Sequence, residues 1–207
     1  MRHRCLQLGY RICISLALVT LCVLSGIAQD VNTKAALKRA DDYIALQVAK
    51  GSFRGTVLVG MNGKIAFEKG YGFANEEWNI PNSPATEYRI FSMTKQFTGA
   101  CILLLEERGL LNVQDPVSKY VSDLPDSWQP ITIHQLLTHT SGIPNYPDMT
   151  PRAKEFDRLG ATPREMLEVA ATKPLEFKPG TKLIYSNTGY ILLGMVIEKV
   201  SGQTYAD

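Results

Sequence analysis

The chain has 207 residues, 45% of them apolar and 20% charged, a balance that fits one globular domain or one domain with part of another. Its formal charge of +2 rests on Arg2, Arg4 and Arg11, which stand at the extreme N-terminus without a compensating acid. Taking those three from the 22 basic residues leaves 19 against 20 acidic ones, a net charge of −1 from residue 29 onward, so no excess of basic charge argues for nucleic acid or an anionic membrane as partner.

Met1 to Arg11 is basic, and Ile12 to Ile27 is a nearly unbroken apolar run of 16 residues. The run ends at Gly26-Ile27-Ala28, with small residues where a signal peptidase reads. It is shorter than the roughly 20 residues of a spanning helix. Residues 1–28 are therefore expected to be a cleaved signal peptide, and the protein to be exported to the periplasm or the exterior. Only an uncleaved signal would attach it to a membrane. A lipoprotein signal is disfavoured because Cys22 follows Leu21, where a small residue is required. Cleavage removes Cys5, Cys13 and Cys22, so Cys101 is left without an intrachain disulfide partner. Set among Ile102, Leu103, Leu104 and Leu105, it is expected to be a buried, small apolar side chain.

Residues 34–50 have helical periodicity: Thr33 is placed to cap, Ala36, Leu37, Ala40, Tyr43, Ile44 and Val48 form one stripe, and Gly51 stops it. Two strand-like runs follow, Gly55 to Gly60 and Lys64 to Tyr71, joined through Asn62-Gly63, a pair suited to a type I′ hairpin turn. The polar stretch with Pro81 and Pro84 reads as loop. A second helix is predicted to open at Ser92 and continue through Leu105 to Gly109. From there to about residue 180 helix and loop alternate without a convincing strand. Thr162-Pro163-Arg164-Glu165 is a capping box with proline at the first helical position. Pro179-Gly180 makes a turn, Ser186 or Asn187 starts the last helix, and Gly202 closes it. A lone hairpin is not independently stable, so further sheet strands are expected beyond Asp207.

His134 and His139 are five apart, and no HxH or HExxH accompanies them, so a metal site is not expected. No GxSxG elbow and no glycine-rich phosphate loop is present. What is present is Ser92-Met93-Thr94-Lys95 at a helix start. Residues i and i+3 share a helical face, so the lysine amine can reach the serine oxygen. A hydroxyl becomes a useful nucleophile when a neighbouring base takes its proton, and a helix N-terminus favours the oxyanion that results. The same four residues also fit a serine cap followed by a solvated lysine. Tyr185-Ser186-Asn187, 93 residues downstream of the serine, joins a phenol that can pass a proton to an amide that can bind a substrate amide. Alone, it also fits a core tyrosine and an asparagine cap.

Three segments occur together: Phe91-Ser92-Met93-Thr94-Lys95-Gln96-Phe97-Thr98-Gly99, Leu136-Leu137-Thr138-His139-Thr140-Ser141-Gly142-Ile143-Pro144, and Tyr185-Ser186-Asn187-Thr188-Gly189-Tyr190. In order and approximate spacing the chain resembles the class C β-lactamase family, which includes serine D-alanyl-D-alanine peptidases and penicillin-binding-protein-like esterases. Gly70-Tyr71-Gly72 and Asp115-Pro116-Val117 add to the likeness. The resemblance implies a mixed α/β fold of the serine β-lactamase/transpeptidase kind: an antiparallel sheet domain with an all-helical domain, about 93–183, inserted in it. It implies that Ser92 is acylated, that Lys95 and Tyr185 share its activation with the choice of base left open, and that Asn187 orients a substrate amide. His139 is expected to be a structural imidazole bonded to backbone rather than a proton carrier. The substrate is a β-lactam, a D-Ala-D-Ala-type peptide or an ester, and no metal or organic cofactor is implied. The alternative is a non-catalytic penicillin-binding-like module. The family's third motif, Lys- or His-x-Gly on a strand facing the serine, has no match after Asn187. Residues 29–207 are therefore expected to be the N-terminal portion of such a hydrolase, with doubtful activity on their own.

Overall fold

A computed structural model describes residues 32–146 and 159–207. The expected signal peptide, 1–28, lies outside them. The chain forms two compact units, one ending at Arg89 and one spanning Ile90–Asp207.

In the first unit, helix α1 runs through residues 32–49, and Gly51 ends it with φ of 71°. Thr33 lies inside this helix rather than capping it. Leu37, Ala40, Asp41, Ile44 and Val48 are half-buried, whereas Tyr43 is exposed. The inward stripe therefore includes an acid in place of the tyrosine. Asp41 accepts hydrogen bonds from Lys69 Nζ at 2.7 Å and Tyr71 Oη at 2.6 Å. Lys69, then Tyr71, hold its carboxyl below the usual carboxylate range, and burial of Tyr71 together with Asp41 pushes the phenol up.

Lys69 and Tyr71 belong to the expected hairpin. Strand β1, Gly55–Met61, pairs antiparallel with β2, Lys64–Tyr71, from Gly55 opposite Tyr71 to Met61 opposite Lys64, with an irregularity at Val59/Gly60. Asn62 and Gly63 both have positive φ, 51° and 72°, as the type I′ turn requires. The following stretch is not all loop: β3, Phe73–Asn75, pairs with β4, Ile80–Pro81. The strands are too short to show an alternating pattern, and Pro81 is tolerated because an edge position asks little of its missing N–H. Side-chain chemistry closes their turn, with Asn75 Oδ1 accepting from Trp78 N at 2.9 Å and Asn79 at φ 52°. A Cβ on Gly70 would lie 2.0 Å from Asn82 O, so only glycine lets that segment pass. There Asn82 Nδ2 donates to Tyr71 O at 2.8 Å.

In the second unit, Phe91–Met93 forms a 3-10 turn that leads into helix α2, Thr94–Glu107. Ser92 thus stands in the short turn ahead of the α-helix instead of opening it, directly after Phe91, whose φ is 46°. Helix α3, Ile133–Leu137, has a capping box between Thr132 and Gln135. Helix α4, Pro163–Ala171, has the predicted one between Thr162 and Glu165. Helix α5, Asn187–Ser201, is capped by Ser186, which accepts from Gly189 N, and ends at Gly202 with φ of 71°. α5 packs on α2, α3 and α4. Its Leu192, Leu193 and Val196 are fully buried with Ile102, Trp128, Ile133 and Leu136. Each such side chain contributes about 1.5–3 kcal/mol. No strand occurs among the described residues of this unit beyond an isolated bridge between Pro116 and Thr132.

Cys101 contradicts its expectation: it is exposed. The buried residues of α2 are Thr98, Ile102 and Leu105, a stripe at intervals of four and three. Cys101 falls beside that stripe, on the face of exposed Phe97 and Leu104. Apolar neighbours in sequence said little about burial; position around the helix decided it.

Candidate active site

Ser92, Lys95, Tyr185 and Asn187 lie within the Ile90–Asp207 unit, and their side chains meet. Lys95, in the first turn of α2, donates from Nζ to Ser92 Oγ at 3.2 Å and to Asn187 Oδ1 at 2.8 Å. Tyr185 Oη stands 2.5 Å from Ser92 Oγ. The lysine ammonium also sits 4.7 Å from the Tyr185 ring centroid and 5.3 Å from that of Tyr190, so two aromatic faces share its charge. The serine hydroxyl is therefore within hydrogen-bond reach of the Tyr185 phenol and of the Lys95 amine that donates to it, at the N-terminus of a 14-residue helix that favours negative charge.

Burial would raise the Tyr185 phenol, but hydrogen bonding to Lys95 and Ser92 and the lysine charge outweigh it and hold the phenol below its ordinary value. An acidified phenol is a better-matched proton acceptor near neutral pH than a free one.

The backbone around Tyr185 is held by the loop after α3. Ile184 N donates to His139 O at 3.0 Å, and Ser186 N donates to His139 Nδ1 at 3.2 Å. The imidazole lies between two phenol rings, 4.7 Å from Tyr185 and 5.1 Å from Tyr190. As expected it bonds to backbone. Its burial, then the nearby Lys95 charge, lower its pKa from 6.5. The same loop fixes Asn187: Asn145 Oδ1 accepts from Asn187 N at 2.8 Å, Thr188 Oγ1 donates to Pro144 O at 2.7 Å, and Tyr146 N donates to Thr188 Oγ1 at 3.0 Å. Tyr190 Oη donates to Leu137 O at 3.1 Å.

Sequence reasoning missed Asn145 and Tyr190. Tyr190 carried a usable signal, since it lies three residues past Asn187 on one face of α5. Asn145 carried none, because its contact spans 42 residues.

Beside Lys95 and Asn187 lies a cavity of about 340 Å³, walled by Phe91, Tyr146, Met166, Ile191, Met195 and Tyr205. Its lining is mostly apolar, with a few polar groups that include Lys95, Asn187 and Glu198, the usual build of a small-molecule site. Among the described residues no cluster of three His, Cys, Asp or Glu side chains is placed to share a metal ion.

Residues 40–207 match the family model described as Beta-lactamase. The chain is 37% identical over 181 residues to Protein flp of Staphylococcus aureus, covering 84% of this chain and 35% of that protein. It is 35% identical over 160 residues to Penicillin-binding protein 4* of Bacillus subtilis, covering 76% of this chain and 35% of that one. Among solved structures, it resembles an octameric penicillin-binding protein homologue from Pyrococcus abyssi, with TM-score 0.68, 36% identity, and coverage of 82% of this chain and 40% of the other. The chain thus spans about a third of the length of these curated relatives. The shared fold is the mixed α/β one of β-lactamase/transpeptidase-like proteins.

Proposed function

The chain belongs to the Beta-lactamase family, and from that premise we propose that the protein is an exported serine hydrolase working through an acyl-enzyme on Ser92. The observation that carries this reading is the double approach to one hydroxyl: Ser92 Oγ lies 2.5 Å from Tyr185 Oη and 3.2 Å from Lys95 Nζ.

Ser92 Oγ attacks the substrate carbonyl carbon while its proton passes to the Tyr185–Lys95 pair, which acts as one coupled acid–base unit. The helix N-terminus stabilises the oxyanion. The tetrahedral adduct collapses, the bond to the leaving amine or alkoxide breaks, and the pair returns the proton to that leaving group. Water then attacks the ester on Ser92, giving the free acid and restoring the hydroxyl. Asn187, held by Lys95 through Oδ1, keeps its Nδ2 donor for a substrate carbonyl. The apolar cavity receives the acyl portion. Relatives named for penicillin binding support a β-lactam or a D-Ala-D-Ala-type amide as acyl donor; a simple ester needs the same machinery.

The test is turnover of a chromogenic cephalosporin, an acyl-D-Ala-D-Ala peptide and a nitrophenyl ester by the full-length protein. At least one should be hydrolysed, and Ser92→Ala should abolish that activity. Turnover unaffected by Ser92→Ala would refute the reading.

A further inference from the structure

We infer that His139 is a positioning residue for Tyr185: its neutral imidazole and its own carbonyl clamp residues 184–186 so that the phenol meets Ser92. This rests on the reading of Ser92 as nucleophile and Tyr185 as its proton partner.

Three features, two of them involving the imidazole, converge on this residue. Its carbonyl and Nδ1 accept the N–H groups on either side of Tyr185, Ile184 N at 3.0 Å and Ser186 N at 3.2 Å. Its ring lies 34° from the Tyr185 plane and 33° from the Tyr190 plane, backing the phenol with a flat surface that itself rests on α5. Its backbone is left-handed, φ 56°, a conformation that few side chains accept. Ser186 is buried, so its N–H needs the acceptor that Nδ1 provides.

The requirement is for a side chain that tolerates positive φ and accepts at the Nδ1 position. Asparagine meets both conditions, with its Oδ1 near that point; alanine meets neither. A protonated imidazole also fails, because Nδ1–H would face Ser186 N–H, donor against donor, and put a second cation near Lys95. The groups facing the ring are Lys95 from α2, Tyr185 before α5 and Tyr190 within it. Burial and the Lys95 charge both favour the neutral form. Activity is therefore retained above the lowered imidazole pKa and lost as pH falls through it.

The experiment compares the pH dependence of kcat and KM for a nitrophenyl ester in the full-length wild type, His139→Ala and His139→Asn. It adds ¹⁵N spectra of the ring at neutral pH. His139→Ala should lower kcat about 10²-fold with KM nearly unchanged, the scale of a misplaced reacting group. His139→Asn should recover kcat to within about tenfold of wild type and lack the acidic limb that His139 adds to the wild-type profile. The spectra should show the Nε2–H tautomer, with Nδ1 as acceptor. Wild-type kcat in His139→Ala, or an unchanged acidic limb in His139→Asn, would overturn the inference even with Ser92→Ala inactive. If Ser92→Ala stays active, the nucleophile reading fails instead, and protonated Nδ1 at neutral pH overturns the clamp by itself.

Discussion

In the proposed mechanism the proton path turns on Tyr185, whose hydroxyl touches Ser92 and whose ring lies beneath the Lys95 amine. Replacing it with phenylalanine removes one hydroxyl and leaves the ring in place between Lys95 and His139. Tyr185→Phe should lower kcat by about 10² to 10⁴. Its circular dichroism spectrum and Tm should stay near wild type, because the residue is 44% exposed. Unchanged kcat would reduce Tyr185 to a structural aromatic. At this scale the sequence was informative where chemistry is local. Ser92 and Lys95 stand out by their spacing of one helical turn, and Tyr185 and Asn187 by their place at a helix start, but only the resemblance carried by three segments turns possible caps into site residues. Asn145 was invisible because only folding brings it to Asn187.

Elements were legible in proportion to the strength of their local signals. Thr162-Pro163-Arg164-Glu165 and Asn62-Gly63 each specify a backbone path within four residues or fewer, and both adopt it. The β3–β4 pair was missed because it rests on two residue pairs and a side-chain-closed turn. Cys101 was misplaced because composition was read where periodicity applies. The loop after α3 depends on Gly142, which has φ of 75° and faces Phe177 O, 2.2 Å from where a Cβ would sit. Its carbonyl accepts from Glu176 N at 2.9 Å, fastening the segment that leads to Tyr185. Gly142→Ala should lower stability by at least about 1–2 kcal/mol, the cost of the left-handed conformation alone. The displaced segment should lower kcat as well. Thermal unfolding and the ester assay measure the two effects, and an unchanged Tm would contradict the account of the loop.

At the scale of the whole molecule, the residues that meet at Ser92 come from separate stretches of the second unit. Ser92 and Tyr185 are 93 residues apart in sequence, and the loop at 137–146 connects them by holding the start of α5. The family resemblance carried by the three segments implied this arrangement before any distance was known. Each unit also exposes large apolar side chains, Leu58, Ile65 and Trp78 in the first and Phe97 and Leu103 in the second, more than local patterning indicated. The central claim is that Ser92 forms the covalent intermediate. Its most direct test is mass spectrometry of the full-length protein after a fluorophosphonate or penicillin-type probe. A single adduct is expected on the peptide containing Phe91 to Lys95, absent from Ser92→Ala. Equal labelling of that variant, or a label on any other residue, would contradict it.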